Sequence, residues 1–184
     1  MEDLHNFDCL LSAETRWSTG RVLADVLISG LWVNHIVWHS LCLQAVIDTE
    51  ELGSIMREAF RLGVLLYLAE IRRQFGVYPV LMQIHMSKLK GLLQSSGISW
   101  RCFTPLKLWV VVMALIEAKA SEDKAWFASQ ISVLTKELNL TSGESLEDLL
   151  KGLFWYPQIH SKLLWDNIRL IDLFNSSTAK EIIQ

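Results

Sequence analysis

The chain has little of what builds small secreted or strand-rich proteins. It contains three cysteines, Cys9, Cys42 and Cys102, which lie far apart and fit neither a disulfide framework nor a zinc-binding pattern. Only nine glycines and three prolines occur in 184 residues, and most of them fall where helices are expected to end. These absences favour a helical protein with free thiols in a reducing compartment.

Positive charge and long apolar runs are also scarce. Lysine and arginine number 17 against 20 acidic residues, for a net charge of -3, whereas nucleic-acid-binding domains normally carry a basic patch. The most apolar stretch, residues 108–116, is shorter than the roughly 18 residues that cross a bilayer. Residues 1–5 lack the pattern of a secretory signal. We therefore expect an intracellular protein without direct nucleic-acid or membrane contact.

The chain is rich in apolar residues at helical spacing. Hydrophobic residues make up 51% of it, with eight tryptophans, and period-two alternation never persists. The pattern predicts an all-α fold of about seven helices in one irregular array. Residues 19–184 would form a single helical domain after a loosely ordered segment, residues 1–18. The predicted helices cover residues 21–47, 48–75, 80–94, 105–118, 122–138, 146–154 and 158–174.

Local signals refine these helices. Thr104 before a proline predicts a capped helix start, and Ser145 with Asp148 predicts another. Spacings of three residues in the second helix predict surface ion pairs, Glu58–Arg61 and Glu70–Arg73.

Few residues suggest catalysis, and none of them forms a complete motif. His35 and His39 lie four residues apart, a spacing that puts both rings on one helix face, as a metal would need. No third ligand accompanies them, so we predict no metal site, and without a nucleotide-binding motif we expect no cofactor. The two histidines and Glu70 remain the candidate catalytic residues. Buried, hydrogen-bonded histidines and a helix-face ion pair of Glu70 are the structural alternatives.

Aromatic residues at helical spacing usually belong to the core, but several around a cavity would hold a flat apolar ligand. On that hypothesis a few polar side chains orient the ligand. The candidate ligand-binding residues are Trp32, Trp38, His39, Arg61, Tyr67 and Trp109.

Four sequence blocks resemble the regulatory, or middle-homology, domain of fungal zinc-cluster transcription factors. Residues 55–79, IMREAFRLGVLLYLAEIRR followed by FGVYP, are similar to the A-x-R-L-A-x-L-x-Y-L helix of that family. The other blocks are residues 105–114, 124–127 and 146–155, in the family's order. The likeness extends over roughly residues 20–175.

In that family the helical domain follows a six-cysteine zinc cluster that binds DNA. The helical domain itself binds effectors or partners and restrains the activator. Three scattered cysteines cannot supply six ligands. The resemblance therefore implies a regulatory domain without a DNA-binding module, which binds a small apolar effector, a protein partner or a second copy of itself. The start at Met1 favours a standalone relative over a fragment.

A standalone copy also suggests an alternative, a cofactor-free cyclase or isomerase of fungal secondary metabolism. A helical pocket lined by Trp and His side chains would accelerate cyclisation by orienting an apolar natural-product intermediate.

Overall fold

All regular structure in the described part of the chain is helical. The computed structural model describes residues 52–74, 78–95 and 99–181, which form six α-helices and one short 3-10 turn, Arg101–Phe103. The helices are α1 Leu52–Gln74, α2 Met82–Ser95, α3 Thr104–Glu117, α4 Ser121–Glu137, α5 Gly143–Lys151 and α6 Pro157–Glu181. The predicted all-α array is thereby confirmed. The predicted helix over 21–47 and the segment 1–18 lie outside the described residues.

Helix α3 is the centre of the packing. It contacts each of the other five described helices, and every residue from Leu108 to Leu115 is buried. A helix that is apolar on all sides is stable only when other elements surround it, and this stretch carries no charged residue. None of the described helices is both long and apolar enough to cross a membrane.

Helix α1 approaches α3 closely at Gly63. A Cβ atom built on Gly63 would lie 2.9 Å from Val110 Cγ2 and 3.0 Å from Trp109 Cζ3. The missing side chain therefore lets the two helices meet, and the apolar middle of α1, residues 62–69, is buried throughout.

Two helix starts differ from the sequence prediction. The Thr104 hydroxyl donates to the carbonyl of Arg101 at 2.8 Å, and Phe103 is the N-cap without a side-chain bond. Helix α5 is capped by Ser142, whose Oγ accepts a hydrogen bond from the Ser145 backbone N–H. The Ser145 Oγ in turn accepts a hydrogen bond from the Ser142 backbone N–H. Ser145 is thus the reciprocal partner in the capping box and not the cap itself.

Candidate functional site

Two predicted ligand-binding residues, Tyr67 of α1 and Trp109 of α3, lie together in an aromatic cluster. Their ring centroids are 5.9 Å apart, and the Tyr67 ring stacks on His160 of α6 at 4.7 Å with an interplanar angle of 13°. Tyr67 is 1% exposed, and Trp109 and His160 are fully buried. The cluster therefore joins three helices inside the core.

The space around Trp109 is filled by the protein's own side chains. Its ring lies 5.8 Å from the Phe60 ring and 5.9 Å from the Phe154 ring, and its indole N–H donates to the Phe154 carbonyl at 2.6 Å. A buried Trp needs such an acceptor. Among the described residues, Trp109 thus acts as core packing that ties the segment after α5 to α3.

His160 was missed by the sequence analysis, although it lies on the apolar face of α6 with Leu164 and Ile171 at helical spacing. Its Nδ1 lies 3.3 Å from the Tyr156 backbone nitrogen and 3.1 Å from the Tyr156 carbonyl. Burial lowers the pKa of His160 to about 4, against a smaller opposing effect of the Tyr156 and Tyr67 backbone. Its Nε2 is buried without a hydrogen bond of normal geometry to any described residue. The ring is therefore neutral near pH 7.

Arg61, another predicted ligand-binding residue, belongs to a buried ion pair and not to the aromatic cluster. Its guanidinium donates to both carboxylate oxygens of Glu58, at 2.6 and 2.7 Å. Lys88 Nζ of α2 reaches the same carboxylate at 2.7 Å. The predicted pair thus forms, but the Glu58 side chain is fully buried where a surface pair was predicted.

The positive charges of Arg61 and Lys88 lower the pKa of both Glu58 and His85. They oppose the effect of burial at Glu58 and add to it at His85. Burial raises the pKa of Glu58, but hydrogen bonds from Arg61 and Lys88 outweigh it and leave the pKa below its ordinary value. Burial lowers the pKa of His85, and the positive charges of Arg61 and Lys88 lower it further. Glu58 is therefore ionised and His85 neutral near pH 7.

The candidate catalytic residue Glu70 lies on the opposite side of α1 from Arg61, because nine residues correspond to two and a half helical turns. Arg73 donates to Glu70 at 2.6 Å and to Glu117 of α3 at 2.7 Å. Burial raises the pKa of Glu70 against the opposing charge of Arg73, and the Glu117 carboxylate adds to the rise. Arg73 thus bridges two carboxylates and joins α1 to the end of α3.

The predicted site residues Trp32, His35, Trp38 and His39 lie outside the described residues. Within the described ranges, no group of three His, Cys, Asp or Glu side chains has the arrangement of a metal site.

The start of α2 carries an apolar tip, defined here as Tyr78, Val80, Leu81 and Ile84. These side chains are 78%, 76%, 64% and 59% exposed, respectively. Single exposed apolar residues are ordinary, whereas several grouped together mark interaction sites. The tip is therefore a candidate contact surface.

Leu81 also has an unusual backbone. Its φ is 63°, in the left-handed region that costs a residue with a Cβ about 1–2 kcal/mol. Its carbonyl accepts from the Ile84 N–H at 3.0 Å and begins α2. A glycine would fit this backbone better and a polar residue would fit the solvent better. Leu81 is therefore a candidate contact residue of the apolar tip.

In comparisons with known proteins, this chain matches no family model, no curated protein and no solved structure.

Proposed function

We propose that this chain is a regulatory helical domain, of the kind found in fungal zinc-cluster transcription factors, that binds a protein partner through the apolar tip. The observation that carries the proposal is a contrast in burial. Tyr67 and Trp109, the predicted pocket residues, are at most 1% exposed, whereas the four tip residues are at least 59% exposed. A partner can therefore contact apolar side chains at the tip, whereas Tyr67 and Trp109 are enclosed in the core.

The sequence resemblance supports the regulatory part of the proposal. One of its four blocks, residues 55–79, covers most of α1 and includes Tyr78, the first tip residue. Cys102 is an exposed free thiol, which suits a reducing, intracellular setting. The cyclase alternative needs open space beside Tyr67 and Trp109, whereas both rings are buried and pack against Phe60 and His160.

A tethered reporter tests this proposal. The full chain is fused to an unrelated DNA-binding domain, and expression of a reporter gene with the matching promoter sites is measured in fungal cells. We expect the fusion to change reporter output and the substitution Ile84→Glu to abolish that change, because a carboxylate cannot be buried in an apolar interface without a partner.

Val133→Glu is the matched control. Val133 of α4 is 60% exposed against 59% for Ile84, so both substitutions add the same charge at equal exposure. Its reporter output should equal that of the unchanged fusion, at equal cellular abundance. A fusion without any effect, or equal effects of the two substitutions, would contradict the proposal.

A further inference from the structure

We infer that the partner docks as an acidic amphipathic helix along the exposed face of α2, with apolar side chains on Leu81 and Ile84 and a carboxylate on Lys88. This inference rests on the proposed function and adds the chemistry of the partner. Amphipathic helices commonly bind by laying apolar side chains, spaced by three and four residues, on an exposed apolar surface.

The exposed face of α2 has the required spacing. Within α2, Ile84 is followed by Lys88 and Gly91 at intervals of four and three residues, which places the three on one side of the helix. Leu81 directly precedes this helix and is 64% exposed. Lys88 is 39% exposed at its side chain. A Cβ atom on Gly91 would meet no atom within 4 Å, so a partner helix has room to approach this end of α2 closely.

The charge on this face is positive. Residues 78–94 contain two lysines and no acidic residue. Lys90 pairs with Asp123 of α4 at 2.7 Å. Among the described residues, Lys88 pairs with a carboxylate that also accepts two hydrogen bonds from Arg61, and that carboxylate is fully buried. Lys88 therefore presents a partly exposed positive charge beside the apolar tip, where a carboxylate of a partner can bind it.

The same charge argues against a second copy of this chain as the occupant. A two-fold symmetric interface uses the same surface of both copies, so pairing two α2 faces would place two Lys88 charges in it, while residues 78–94 supply no carboxylate to neutralise them. An acidic helix instead places opposite charges together, and electrostatic complementarity of this kind selects partners.

A charge-swap binding experiment tests the inference. Two fluorescently labelled model helices are compared, with identical leucines and with either glutamates or lysines flanking them. Binding to the full chain is followed by fluorescence anisotropy at low salt. We expect the acidic helix to bind at least about tenfold more tightly than the basic one. Lys88→Gln should remove most of this preference, and Lys88→Glu should reverse it.

Lys162→Glu provides the matched control, because Lys162 is an exposed lysine of α6 and its replacement changes the net charge equally. It should leave the preference for the acidic helix intact. Urea unfolding of Lys88→Gln checks that the variant is folded, and the Glu58–Arg61 bonds do not involve the lysine. The same unfolding measurement is made on Lys88→Glu, because its new carboxylate lies beside that of Glu58, and binding is compared only under conditions where the variant is folded.

Four results would overturn the inference. In the anisotropy assay these are equal binding of the acidic and basic helices, and loss of the preference for the acidic helix in Lys162→Glu. The third is a wild-type dimer in sedimentation that the substitution Ile84→Glu dissociates. The fourth is displacement of the bound acidic helix by phosphatidylserine vesicles. If the tethered reporter still responds to Ile84→Glu while any of these results is found, the proposed function stands and only the acidic helix is rejected. If the reporter does not respond, the proposed function fails first.

Discussion

Protonation of His160 should make this protein unusually sensitive to mild acid. The imidazole is fully buried, and its pKa is lowered from an ordinary value of 6.5 to about 4. In the unfolded chain the ring takes up a proton near pH 6.5, whereas in the folded protein it does so only near pH 4. Between these two values the unfolded state holds more protons, so the free energy of unfolding falls as the pH falls.

The magnitude follows from the size of the pKa shift. Each pH unit of difference between folded and unfolded pKa corresponds to about 1.4 kcal/mol, so the shift from 6.5 to about 4 amounts to about 3 kcal/mol. This loss is complete near pH 4 and absent above about pH 7. It is a large part of the roughly 5–15 kcal/mol by which a domain is stable.

The assay compares urea unfolding of the wild type and His160→Phe at several pH values from 7.5 to 4. Phenylalanine keeps a ring against Tyr67 but takes up no proton. Other groups, such as Glu58 with its lowered pKa and Glu70 with its raised pKa, titrate equally in both proteins and cancel in the difference. We expect the wild type to lose about 3 kcal/mol more than the variant between pH 7 and 4.

Parallel stability curves for the two proteins would refute this reasoning, because they would mean that His160 is protonated in the folded protein. A direct check is the pH titration of the His160 ring protons by NMR. A midpoint near 6.5 would show that the buried ring does not resist protonation.

Three further predictions concern stability and the tip. Gly63→Ala should lower the free energy of unfolding by about 1–3 kcal/mol through overpacking against α3. Gly91 has open space around it, so Gly91→Ala should raise that free energy by up to about 1 kcal/mol. Melting temperatures that shift in the same direction for both variants would contradict this. Ser142→Ala should cost about 1 kcal/mol in urea unfolding, and no change would show that the capping box is not formed. Leu81→Gly should leave stability unchanged or raise it by up to about 1 kcal/mol while weakening model-helix binding; unweakened binding would contradict a role for the leucine.

The sequence was informative about the helices because their apolar spacing is local. The buried run from Leu108 to Leu115 and the end of α1 at Gln74, one residue before the predicted end, could be predicted from residue types alone. The cap of α5 could not, because Ser142 and Ser145 both suit a helix start, and the backbone decides which hydroxyl accepts which N–H.

The candidate site was harder to predict because it depends on contacts between distant segments. Spacing indicates that Glu58 and Arg61 can pair, but only the packing of α2, with Lys88, determines that the pair is buried. His160 meets Tyr67 from 93 positions away in the chain, and no local pattern encodes that meeting. The exposure of the tip depends likewise on where α2 begins, at Met82 and not at Val80 as predicted.

The central position of α3 has a consequence for hydrogen exchange. Its amides between Leu108 and Leu115 are enclosed by residues that are themselves buried, so they can exchange with deuterium only when the whole described array opens. A partner that binds the folded chain at α2 stabilises it by mass action. Such binding would therefore slow exchange throughout α3 without touching it, and the slowest amides would report occupancy of a distant surface.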